Sequence, residues 1–293
     1  MKFPSLKWFF ISIIFISVGY HHKLIICGLI GEVFGFHWIC HTVIHGITTN
    51  YWFEHFVFVP LIWVAFNHIN NIVFSSKSLD ISDDSWKKRK WFGQFLAMFY
   101  IYGHGMHITN TVEVYSRMEG LANGPLYDQI YWIDEHLSHT VQFIPYFIMM
   151  SWFLIHDKLD RNVGKNVAIV SGVLHGVDRG YGITEGNSPS LGVFLMGLVV
   201  LAVGYRYYRH GSSFQRAFQD FFFRYGFGLV VTNFIFMILY QILFGVQTQL
   251  SDYAGAGAWV IVATALSCVF GMLLLFFGMD RFYKNQLTIK TKK

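Results

Sequence analysis

Apolar runs of about twenty residues, separated mostly by short polar loops, recur along this chain. At about 1.5 Å per helical residue such a run matches the hydrocarbon thickness of a bilayer. A helix satisfies its backbone polar groups internally, as lipid demands. The expected fold class is therefore all-α, a polytopic integral membrane helical bundle. Its 293 residues leave room for about eight or nine spans and no soluble domain. Residues 1–293 read as a single transmembrane domain, with helices near 8–22, 24–47, 52–74, 91–115, 128–155, 166–184, 189–209, 217–245 and 256–280. A composition of 54% hydrophobic and 13% charged residues excludes an ordinary soluble globular domain.

Charge placement orients the bundle. A net charge of +5 does not indicate nucleic acid, because the Lys and Arg residues sit in loops and at the C-terminus. The linker from Ser75 to Lys90 carries Lys77, Lys87, Lys88, Arg89 and Lys90, which the positive-inside rule places in the cytoplasm. Alternation then puts Lys158, Arg161 and Lys165, the Arg206–Arg216 loop and the C-terminus on the same side. The rule fails at Lys2 and Lys7, so Trp8–Tyr20 reads as a span, a re-entrant segment or an interfacial one. It lacks an Ala-x-Ala-like cleavage site and is expected to be retained. Cys27, Cys40 and Cys268 form no disulfide framework or Cys-x-x-Cys motif.

Nine of the fourteen histidines fall in the outer half of these spans. His104 and His107, counted down one span, and His136 and His139, counted down the next, both lie roughly 12–16 Å below the outer end. His175 comes out near ~12 Å, and His37 and His41 at roughly 9–15 Å. His37, His41 and His45 share one helical face by their spacing of four. His45 and His55 sit nearer the surface, where water and carbonyls satisfy them. Gly103-His104-Gly105-Met106-His107 precedes Asn110 and Glu113; its glycines fit either a close approach by a ligand or small-residue packing.

Asp134-Glu135-His136-x-x-His139 is the sharpest signal, with two carboxylates and two imidazoles within six residues of one span. A single charge at the bilayer centre costs at least about 2.5 kcal/mol, so such a set marks function unless it is a solvated helix end. His175 and Asp178 share a face by a spacing of three, and Arg179 can neutralise Asp178. Asp220 and Arg224 read as a structural ion pair.

Imidazole and carboxylate without thiolate suit zinc or non-haem iron. The metal candidates are His107, His139, His175, His104, His136, Asp178, His41 and His37. One zinc would use three of them, first of all His107, His139 and His175. Glu135 or Asp134 would act as general base, with Ser138 as a further catalytic candidate.

The paired boxes resemble those of membrane fatty-acid desaturases and hydroxylases, but the one adjacent His-His pair, His21-His22, is away from the site. Ser138 beside His139 is similar to the Ser, Asp and His combination of ceramidase-like intramembrane zinc hydrolases, yet no His-x-x-x-His box closes a late span. Neither likeness assigns a family. The leading expectation is a metal-dependent hydrolase, with zinc as cofactor, acting on a lipid-like amide or ester from the outer side of the membrane. A di-iron hydroxylase or desaturase is the alternative, and a haem or metal-ion carrier is the non-enzymatic one. Membrane lipid is the expected surrounding partner. The histidine-free helices from 189 to 280 read as scaffold or as an interface for other membrane subunits, and the helices from 24 to 184 as the site.

Overall fold

The structure, a computed structural model, describes residues 35–36, 38, 42–44, 47–74, 85–156, 165–185, 189–245 and 256–291. The expected helix 8–22, most of 24–47, and the candidates His37, His41 and His45 lie outside the described residues. Within them the fold is helical, apart from a small hairpin of β1 (Val43–Ile44) and β2 (Ile47–Thr48). The two strands are antiparallel, with Val43 opposite Thr48 and Ile44 opposite Ile47.

Helix α1 (Thr49–Phe53) runs through a π-helical turn (Glu54–Phe58) into α2 (Val59–Val73). Pro60 falls in the first turn of α2. Next come α3 (Ser85–Met106), α4 (Thr109–Met118) and α5 (Pro125–Trp132). A second π-helical turn (Ile133–Ser138) joins α5 to α6 (His139–His156). The chain closes with α7 (Lys165–Glu185), α8 (Pro189–Arg209), the short α9 (Phe214–Ala217), α10 (Phe221–Phe244) and α11 (Ala256–Thr291).

Helix α8 has the bounds expected from its apolar run, and α7 extends one residue beyond expectation at each end. The single helix expected over 91–115 is instead two. Gly103 and Gly105 weaken the last turn of α3, each by up to about 1 kcal/mol relative to Ala. The His107 amide is shared between the carbonyls of Gly103 at 3.2 Å and His104 at 3.1 Å, and the chain restarts as α4. At its other end α3 begins at Ser85, so Lys87, Lys88, Arg89 and Lys90 ride on a helix rather than a linker.

Helix α7 packs closely along α10, α6 lies between α3 and α8, and α2 packs on α3. The α7–α10 approach is close because Gly172, Gly176 and Gly180 form a stripe at intervals of four. A Cβ at Gly176 would lie 2.6 Å from the Leu229 carbonyl oxygen, and one at Gly172 would run into that of Tyr225. The interior is rich in aromatic side chains, among them Phe66, Tyr100, Tyr146, Phe147, Phe153 and Tyr225.

The exterior is apolar too. Phe194 is 74% exposed, Leu201 71% and Ile242 73%. Large exposed apolar side chains of this kind are a liability in water and the natural outer face of a bundle in lipid. Among the described residues, three helices are long and apolar enough to cross a membrane, Tyr51–Asn71, Ser190–Arg209 and Phe221–Phe244, compatible with an integral membrane protein. Helices α3 and α7 are less apolar, because α3 carries Lys87, Lys88, Arg89, Lys90 and His104, and α7 carries Lys165, His175, Asp178 and Arg179.

A candidate histidine and carboxylate site

At the end of the bundle where α1 starts, α3 finishes and α5 passes into α6, three segments bring ionisable side chains together. Glu54 comes from the first π-helical turn, His104 and His107 from the last turn of α3 and the residue after it, and Asp134, Glu135 and His139 from the second π-helical turn and the start of α6. Both carboxylate-bearing stretches are thus π-helical, a distortion frequent at functional sites.

His107 stands between two carboxylates. Its Nδ1 is 3.8 Å from Glu54 Oε1 and its Nε2 is 3.9 Å from Asp134 Oδ1. His104 Nδ1 lies 3.8 Å from the same Glu54 oxygen, and its Nε2 is hydrogen-bonded to the Tyr100 hydroxyl at 3.0 Å. The His107 and His139 rings are 5.3 Å apart. Glu54, His104, Asp134, Glu135 and His139 are buried, whereas the His107 side chain keeps 21% of its surface, which makes it the reachable member.

Two local features fix the chemistry. His139 Nδ1 is 2.8 Å from the Glu135 carbonyl oxygen, which can only accept, so the ring proton sits on Nδ1 and Nε2 carries a lone pair. Metal-binding histidines are commonly held in this way. Asp134 is fully buried; Thr109 Oγ1 donates to its Oδ1 at 3.4 Å, while its Oδ2 finds no hydrogen-bond partner. A buried carboxylate oxygen left without a donor is costly, and it is chemically a ligand position.

Other expected residues lie apart from this group. His175 is fully buried, with Nε2 bonded to the Tyr146 hydroxyl and Nδ1 2.5 Å from that of Tyr225, so both ring nitrogens are occupied. Asp178 accepts from Arg179 Nε at 2.7 Å, and the Arg179 guanidinium lies 4.7 Å from the centre of the Tyr146 ring. His136 is exposed beside Tyr131, because the π-helical turn rotates it away from His139. The Ser138 hydroxyl donates to the Asp134 carbonyl. Gly103 packs against Val141 and Gln142 of α6. Asp220 takes Arg206 as its cation at 2.5 Å, whereas Arg224 donates to the Phe218 carbonyl and lies 4.5 Å from the centre of that residue's ring.

Glu113 holds the α4–α5 turn together. It accepts from Arg117 Nε at 2.5 Å and from the Tyr127 hydroxyl at 2.6 Å. Partial burial and the Glu113 carboxylate raise the Tyr127 hydroxyl above its usual range. Burial acts to lower the Arg117 guanidinium, but its bond to Glu113 outweighs that and raises it.

Glu54, Tyr100, Tyr146 and Tyr225 are not among the residues expected at the site from sequence. Glu54 was signalled by being the one acidic residue in the apolar run Tyr51–Asn71. The tyrosines had no signal among so many aromatics. Among the described residues, no three His, Cys, Asp or Glu side chains are already set to hold a metal ion. No family model, curated protein or solved structure matches the chain.

Proposed function

We propose that this chain is a polytopic membrane protein of about eight or nine spans, its C-terminus cytoplasmic and its site towards the outer face, that hydrolyses a lipid-like amide or ester with the help of one zinc ion. The observation that carries this reading is the His107, His139 and Asp134 set, in which one imidazole has its lone pair fixed on Nε2 and the carboxylate has an orphaned buried oxygen. Two imidazoles and a carboxylate form a recurrent catalytic zinc donor set.

Two donors of one tetrahedral zinc lie roughly 3.3 Å apart. The 3.9 Å between His107 Nε2 and Asp134 would close by about 0.6 Å on capture of the ion. When bound, the ion lowers the pKa of a water and polarises the scissile carbonyl. Glu135, whose Oε2 is 3.9 Å from His139 Nδ1, takes the proton from the attacking water and returns it to the departing amine or alcohol. The partly exposed His107 side chain marks the side from which substrate arrives.

The same donor set serves non-haem iron oxygenases, which keeps an iron hydroxylase or desaturase as the second reading. Metal analysis of protein purified in detergent separates them. Zinc at one equivalent, lost in His139→Ala while the variant still inserts into the membrane, supports the hydrolase. Iron supports the oxygenase, and a Soret band from bound haem contradicts both.

A further inference from the structure

Helix α4 has the opposite polarity to a surface helix in water. Its buried side carries Thr111 and the fully buried Glu113, whose carboxylate accepts from Arg117 and Tyr127. Its outward side, with the residue that leads into it, carries Ile108, Val112 and Tyr115, each at least 40% exposed. A helix on the surface of a soluble protein shows the reverse, with its apolar stripe on the core and its polar residues outside. Polar groups packed inward and apolar ones facing out suit a helix whose surroundings are lipid.

The same face continues the exterior of α3. Exposed apolar side chains recur at intervals of three or four, as Phe95, Met98 and Tyr102 on α3 and as Ile108, Val112 and Tyr115 beyond it, with the exposed Gly105 between the two sets. Arg117 and Glu119, both exposed, follow Tyr115 closely and mark the return to water.

We propose that this face lies against the acyl chains of the outer leaflet, so that the histidine and carboxylate cluster opens sideways to the bilayer and takes a long-chain lipid from it. Ten residues cannot span: α4 rises about 15 Å, half of the hydrocarbon thickness. Tyr115 stands eight residues beyond His107, at most about 12 Å along a helix, so with Tyr115 at the interface His107 lies within the depth of one leaflet. Ile108 directly follows His107, the reachable member of the cluster. A lipid whose chain lies along Met98 and Tyr102 and whose headgroup lies by Tyr115 carries its amide or ester linkage at the level of Ile108 and His107.

The side of the membrane and the choice of lipid as substrate rest on the hydrolase reading; the lipid contact of α4 does not. The test is photo-cross-linking from benzoyl-phenylalanine placed singly at Val112, Tyr115 and Leu201 of protein in phosphatidylcholine vesicles, with the adducts identified by mass spectrometry. Leu201, exposed on the apolar helix α8, sets the standard for lipid contact. Val112 and Tyr115 are expected to capture phosphatidylcholine as Leu201 does. Capture at Leu201 but at neither of these two, or capture of a second copy of the chain by them, overturns the proposal. Val112→Glu should raise the KM for a bilayer-borne long-chain amide or ester about tenfold, the worth of one aliphatic contact, with zinc content unchanged. An unaltered KM overturns the entry route. A wild type that splits no lipid refutes the hydrolase reading, while the adducts still decide the lipid face.

Discussion

Adding one methyl group at Gly176 separates two effects of opposite sign. Replacing a helical glycine with alanine gains up to about 1 kcal/mol of helix propensity. Here the new Cβ would lie 2.6 Å from the Leu229 carbonyl oxygen, 2.8 Å from Thr232 Cβ and 3.1 Å from the Asn233 amide. Two of those atoms are backbone, so no side-chain rotation relieves the overlap. Bringing the first contact to an ordinary 3.4 Å moves α7 and α10 apart by about 0.8 Å. Overpacking of this kind costs about 1–3 kcal/mol, which outweighs the propensity gain. Gly176→Ala is therefore expected to lower the unfolding free energy by about 1–2 kcal/mol. Gly228, on the opposing face, supplies the control: its Cβ would meet its nearest neighbour at 3.6 Å, and Gly228→Ala should be neutral or slightly stabilising. Reversible unfolding in mixed detergent micelles, followed by tryptophan fluorescence, measures both. Equal stability of the two variants, or a Gly176→Ala protein as stable as the wild type, refutes the close-packing argument.

Asp134→Asn should abolish zinc binding without preventing membrane insertion, and tight binding by that variant in a metal titration removes Asp134 from the ligand set. Asp220 pairs with Arg206, itself 3% exposed, and accepts the Phe223 amide at 2.7 Å as a helix cap. Asp220→Ala leaves that cation buried and is expected to cost about 3–5 kcal/mol in the same unfolding assay. Asp220→Asn retains the capping oxygen and should cost about 1 kcal/mol less. Because the folded protein holds the Tyr127 proton more tightly than the unfolded chain does, the stability tied to that proton is present below the ordinary tyrosine pKa of about 10 and lost as pH rises above it. Tyrosinate absorbance of the wild type minus that of Tyr127→Phe should show one residue ionising above the ordinary value, and a component at or below it contradicts the Glu113 contact.

Much of the helical pattern was legible because it follows from hydropathy alone: the bounds of α7 and α8 emerge from where apolar runs stop. The break between α3 and α4 was less visible, since Gly103 and Gly105 could equally have served a ligand or a packed neighbour. The site was half legible. Unusual ionisable residues in apolar segments pointed to His104, His107, Asp134, Glu135 and His139, but face assignments assumed 3.6 residues per turn. In the π-helical stretch Ile133–Ser138 that assumption fails, and His136 turns outward although its spacing of three from His139 suggested a partner. His175 matched the others in estimated depth, yet depth says nothing of direction, and its nitrogens face Tyr146 and Tyr225. Glu54 was legible only as the one acidic residue of the apolar run Tyr51–Asn71, with no histidine or second carboxylate spaced to share its helical face as a box.

The two π-helical turns, Glu54–Phe58 and Ile133–Ser138, decide where the cluster tolerates a change of chain length. Each wide turn holds one more residue than an α-helix would, so removing that residue restores ordinary winding and leaves the flanking segments close to their present directions. A one-residue deletion at Val57 would therefore keep Glu54, whose carbonyl already accepts the Val59 amide across the turn, close to its present bearing on α2. The same deletion within the regular winding of α2 would swing Glu54 by about 100° relative to the rest of that helix, dismantling the cluster while leaving all of its own residues in place.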